Sequence, residues 1–108
     1  MNGKSKSPET IANFLADHFG PDGEYGAGCY KCGQMVSLAL SMLVAAGFDP
    51  SQMSVHVATI DDVSHTWVVA DSWWIDPTIG QFDKVLPVCG QGRYPLTYTK
   101  HRVRKVTW

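Results

Sequence analysis

Tyr30-Lys31-Cys32-Gly33-Gln34-Met35-Val36-Ser37-Leu38-Ala39-Leu40, running on to Ala46-Gly47, is the stretch whose reading decides the fold. Met35, Val36, Leu38, Ala39, Leu40, Met42, Leu43 and Val44 go nearly all round a helix. A helix apolar on every side is a central one, covered by the rest of its domain. Gly47 supplies a C-terminal stop, and Pro50 prevents the helix from resuming. Cys32 falls in the first turn, where free backbone N–H groups favour thiolate over thiol and can hold a developing oxyanion. A thiol in such a place, given a basic partner, can have its pKa lowered to roughly 3.5–7.5. Without one, a cysteine is a small buried hydrophobe. What Cys32 does therefore depends on the partners supplied by the rest of the chain.

Towards the N-terminus, Ser7 can cap a first helix, with Pro8 at its first position and Glu9 complementing the dipole. Ile11, Phe14, Leu15, His18 and Phe19 recur at helical spacing, and Gly20-Pro21-Asp22-Gly23 ends the run. Glu24 to Gly28 reads as loop, with Gly26 and Gly28 letting backbone approach a substrate closely. Residues 1–6 are expected to be disordered. Towards the C-terminus the period changes to two from Met53, with Val55, Val57 and Thr59 facing one way and Ser54, His56 and Ala58 the other. Asp61-Asp62 reads as a turn, His65 to Ala70 as a second strand, Asp71-Ser72 as a polar break, and Trp73 to Asp76 as a third strand ended by Pro77. Ile79 to Tyr94 reads mostly as loop, and Leu96 to Trp108 as a final strand pair or one long strand. Two helices followed by an antiparallel meander make an α+β plan, with the Cys-bearing helix packed on the sheet.

The 108 residues suit one domain, spanning 1–108. Nine Lys and Arg against ten Asp and Glu argue against nucleic acid or an anionic membrane as the main partner. No apolar run approaches the roughly 20 residues of a membrane span, and the N-terminus lacks the apolar core of a secretory signal. Three cysteines would leave one outside any disulfide framework, so a reduced compartment is the simpler expectation. That means cytoplasm, or the cytosol of a target cell into which the protein is delivered. The sequence does not set the oligomeric state.

If Asp71-Ser72 is a two-residue hairpin loop, Ala70 lies opposite Trp73, Trp67 opposite Asp76 and His65 opposite Thr78. His65, Trp67, Asp76 and Thr78 then share one face, and His65 and Asp76 are diagonal neighbours. A three-residue loop would put Asp76 on the other face. A carboxylate beside an imidazole fixes its tautomer and stabilises the imidazolium. If that face packs against the N-terminus of the Cys32 helix, a nucleophile, a base and an orienter are assembled.

Cys32-Gly33-Gln34-Met35 through Val44-Ala45-Ala46-Gly47-Phe48, then Ser64-His65-Thr66-Trp67-Val68, then Trp73-Trp74-Ile75-Asp76-Pro77-Thr78, together resemble the core of transglutaminase-like proteins, members of the wider papain-like cysteine fold. The likeness covers roughly Gly28 to Thr78. It implies a papain-like fold with Cys32 as nucleophile, His65 as general base and acid, and Asp76 as orienter. Tyr30, just before the cysteine, would complete the oxyanion hole, and Trp67 and Trp74 would wall the acyl site or pack as buried aromatics. The expected activity is thiol-dependent acyl transfer at an amide of a protein or peptide, as protease, deamidase or transglutaminase, with no cofactor and no metal. The chain departs from the family in having Gln34 where an acidic residue is frequent, and in its short interval from His65 to Asp76.

Other readings remain open. The same fold can serve as a non-catalytic protein-binding domain. Cys29-Tyr30-Lys31-Cys32 has the spacing of a redox dithiol, and Cys29, Cys32, Cys89 and a histidine are a conceivable zinc set. Lys100, Arg102 and Arg104 read as a solvated strand edge, with His101 and Lys105 on the other face. His18 and His56 read as structural.

Overall fold

The computed structural model describes residues 7–19 and 32–106, with backbone alone for Phe19, Cys32 and Gly33. Residues 1–6, residues 20–31 with Cys29 and Tyr30, and the side chain of Cys32 lie outside the described residues. Helix α1 spans Pro8–Phe19 and is capped as its sequence predicts, with the Thr10 N–H donating to Ser7 Oγ at 3.1 Å. Helix α2 spans Cys32–Ala45. Gly47 at φ 104° closes it, with Phe48 N–H donating to Leu43 O and Gly47 N–H to Val44 O, both at 3.0 Å. This pairing satisfies two carbonyls that the helix end would otherwise leave open, and it needs a residue that tolerates positive φ.

Five strands follow: β1 Met53–Ile60, β2 Val63–Ala70, β3 Trp73–Ile75, β4 Cys89–Gln91 and β5 Thr99–Lys105. They form one antiparallel sheet in the order β4-β3-β2-β1-β5. The sheet departs from a plain meander, because β5 returns to the free edge of β1. A short strand, β4, lies inside the segment expected to be loop, and the C-terminal run makes one strand rather than a pair. Between β1 and β2 the loop is Asp61-Asp62, both at positive φ (50° and 66°), the backbone twist that two-residue hairpins require.

Each face of the sheet carries its own core. On one face α1 and α2 pack Ile11, Leu15, Met35, Val36, Ala39 and Leu43 against Val55, Val68, Ala70 and Ile75. The other face joins Ala58, Ile60, Trp67 and Trp74 to Ile79 from the connection between β3 and β4 and Tyr94 from that between β4 and β5, without any described residue of either helix. Helix α2 is also not covered all round. Gln34, Ser37, Leu38 and Ser41 form an exposed stripe, with Leu38 39% exposed. With α1 and the sheet as its packing layers, α2 keeps one side towards solvent.

Candidate active site

Asp71-Ser72 is a two-residue loop, so Ala70 pairs with Trp73 and Val68 with Ile75. His65 and Asp76 consequently come to the same face, and His65 Nε2 lies 2.8 Å from Asp76 Oδ2 with both side chains fully buried. A carboxylate accepts and does not donate, so Nε2 carries the proton and Nδ1 is left as the acceptor. Two more groups hold the carboxylate. Tyr94 Oη donates to Oδ2 at 2.5 Å, and Thr78 Oγ1 donates to Oδ1 at 3.3 Å. The Asp76 N–H donates to Val88 O at 2.8 Å, which fixes the backbone beneath the carboxylate.

The acceptor side of His65 faces Gln81, whose Nε2 donates to Nδ1 across 3.5 Å from the 3₁₀ turn Ile79–Gln81. Phe82 meets the imidazole edge-on at 4.9 Å and 80°. The Tyr94 phenol is pushed far above its ordinary range, first by burial and then by the Asp76 charge and the hydrogen bond to it. It therefore remains a donor throughout the physiological pH range. No buried side-chain nitrogen or oxygen among the described residues lacks a hydrogen-bond partner, as a polar cluster in a low-dielectric interior requires.

Trp67 and Trp74 are buried, at 1% and 4% exposure, and they pack with Tyr94 rather than line an open wall. Tyr94 stacks on Trp67 at 4.0 Å and 8°, and meets Trp74 edge-on at 5.4 Å. A cavity of about 470 Å³ lies alongside, lined by Arg93 to Tyr98, so Tyr94 both walls this cavity and braces Asp76. Cys32 opens α2, but the body of that helix packs on the opposite face of the sheet from His65 and Asp76. The expectation that the dyad face packs against the N-terminus of that helix falls on side chains outside the described residues, and only the helix body is placed on the far face. Cys89, on β4, has its thiol pushed up by burial and then by Glu9, so it stays protonated at neutral pH.

Tyr94, Gln81 and Phe82 were not among the residues singled out from sequence. They come from an irregular segment, and only their distance from Asp76 or His65 reveals them. No family model, curated protein or solved structure matches this chain. Among the described residues no helix is long and apolar enough to cross a membrane.

Proposed function

We propose that the protein is a thiol-dependent acyl-transfer enzyme acting on an amide bond of a protein or peptide, with a papain-like division of roles among Cys32, His65 and Asp76. The observation that carries this reading is the buried His65–Asp76 pair, whose tautomer leaves Nδ1 as the proton acceptor. Cys32 at the head of α2 is the nucleophile, favoured as thiolate by the helix N-terminus. Its proton passes to His65 Nδ1 as sulfur attacks the carbonyl carbon, and the carbonyl π pair moves onto oxygen. When the tetrahedral species collapses, the C–N bond breaks and His65 returns the proton to the leaving amine. Water or an amine then attacks the thioester, giving up a proton to His65 Nδ1, and the C–S bond breaks to complete hydrolysis or transamidation and release the Cys32 thiolate beside the imidazolium. Asp76 holds the imidazole in place and offsets the imidazolium charge, and Tyr94 and Thr78 keep Asp76 still.

The reading requires sulfur and Nδ1 to meet, with the thiol replacing Gln81 at that nitrogen. A second reading is favoured by the packing of α2 on the far face: the dyad as a fully satisfied structural network in a non-catalytic binding domain. Iodoacetamide labelling near neutral pH separates the two. The enzyme reading expects Cys32 to react faster than Cys89, with the excess lost in His65→Ala. Cys32 labelling that ignores His65 supports the binding domain. Mass spectrometry of proteins incubated with wild type and Cys32→Ala then distinguishes backbone cleavage, glutamine-to-glutamate conversion and crosslinking.

A further inference from the structure

A second imidazole pair lies on the same face of the sheet, away from the dyad. His56 Nδ1 and His101 Nε2 are 2.8 Å apart, with ring centres separated by 5.0 Å and planes within 22°. With nitrogen so close to nitrogen, those figures place the rings edge to edge rather than one above the other. Ser54 Oγ holds the far nitrogen of His56 at 3.0 Å, which leaves Nδ1 to face His101. The backbone is bent to make this contact. Val57 pairs with Arg102 and Thr59 with Thr99, so Lys100 and His101 together oppose Ala58 in a bulge, and Lys100 takes positive φ (54°). Bulges at sheet edges re-aim side chains, and a non-glycine residue in the left-handed region carries strain that its surroundings must maintain.

We propose that His56 and His101 form a bis-imidazole site for a divalent first-row transition ion of the Zn²⁺, Ni²⁺ and Cu²⁺ class. The proton shared between the two nitrogens is the group a metal replaces. Zinc–nitrogen bonds of roughly 2.0–2.1 Å at a tetrahedral angle need nitrogens about 3.3 Å apart. The rings must therefore open by about 0.5 Å, and exposed His101 on edge strand β5 has room to do so. Imidazole ligands select these metals over magnesium or calcium. Among the described residues no group of three or more His, Cys, Asp or Glu could hold a metal ion, so water fills the remaining positions. The Ser54 contact orients His56 as an outer-shell partner would. The Lys105 charge acts on His56 from the same strand as His101 and weakens the site without touching the ligand nitrogens.

Trp67 supplies the readout, since its ring centre lies 5.5 Å from that of His56 and 5.8 Å from that of His101. The test is titration of the full chain with Ni²⁺, followed by tryptophan quenching, in wild type, His101→Ala and His56→Gln. His101 is exposed, so its replacement leaves the fold intact, and any thiol-bound nickel appears equally in all three. The expected result is quenching in wild type with apparent affinity weakened roughly tenfold or more in either variant. In parallel, Cu²⁺ electron paramagnetic resonance should show two-nitrogen coupling that His101→Ala removes. Nickel affinity in His101→Ala equal to wild type, or copper coupling unchanged by it, overturns the proposal.

Discussion

Replacing Tyr94 by Phe isolates one hydrogen bond in the dyad. The aromatic ring stays, and with it the 4.0 Å stack on Trp67 and the edge contact with Trp74. Only the hydroxyl that donates to Asp76 Oδ2 is lost. A hydrogen bond to a charged group contributes roughly 1.5–3 kcal/mol. Asp76 keeps His65 on Oδ2 and Thr78 on Oδ1, so no orphaned acceptor adds to the loss, and about 2 kcal/mol is expected. That is a large part of the roughly 5–15 kcal/mol available to a domain, but the variant remains folded. At roughly 4–8 °C per kcal/mol for a domain near this size, the melting midpoint should fall by about 8–16 °C. Urea denaturation should show a lower midpoint with an unchanged slope. A cycle with Asp76→Asn should give a coupling of about 1 kcal/mol or more, because the two side chains touch. A loss under about 0.5 kcal/mol, with coupling near zero, would refute the claim that the phenol holds the carboxylate.

Three further outcomes follow from the same geometry. A Cβ on Gly90 would lie 2.9 Å from Trp74 Cζ2, and Trp74 is itself wedged against Tyr94. Gly90→Ala should therefore cost roughly 1–3 kcal/mol in denaturant unfolding. Asp61 and Asp62 both sit at positive φ in a two-residue hairpin, so exchange for Asn-Gly should raise stability by roughly 0.5–1 kcal/mol, checked by thermal unfolding. The His56 pKa is held below its ordinary 6.5, first by burial and then by His101 and Lys105. As pH falls through 6.5 the unfolded chain takes up a proton that the native state resists, so stability drops until His56 titrates in the fold. His56→Gln should flatten the decline in urea midpoint between about pH 7.5 and pH 5.5.

The parts legible in the sequence were those set by local counting. Two residues between Ala70 and Trp73 decide the parity of β3, and parity alone brings Asp76 to the His65 face. The cap at Ser7 and the stop at Gly47 are likewise local. Strand β4 was not legible, because Cys89-Gly90-Gln91 has no alternation and a glycine at its centre. It is a strand because β3 offers a free edge and the Trp74 indole fills the space over Gly90. Which edge β5 would join is settled about 40 residues away in sequence, where no local pattern reaches. The exposed side of α2 was missed because apolar character does not imply burial, as Leu38 shows.

The choice of face for the helices has a physical cause that alternation could not expose. Both faces of β2 are rich in apolar groups: Val68 and Ala70 on one, Trp67 and Val69 on the other. The first, extended by Val55 and Ile75, offers mainly small and branched side chains to the helix ridges, with Met53 among them and Trp73 beside Ala70. The second carries two indoles, and an irregular segment can fold round them side chain by side chain, as Ile79, Phe82, Leu86, Tyr94 and Leu96 do. The His56, His65 and His101 imidazoles lie on the face that carries the buried Trp67. Trp67 lies 6.4 Å from the His65 ring and 5.5 Å from the His56 ring, so one indole borders both pairs. A thiol that uses His65 must come to this aromatic layer from the head of α2, since the helix body rests on the other side. The link between Cys32 reactivity and His65 thus tests the path of the chain as directly as it tests the chemistry.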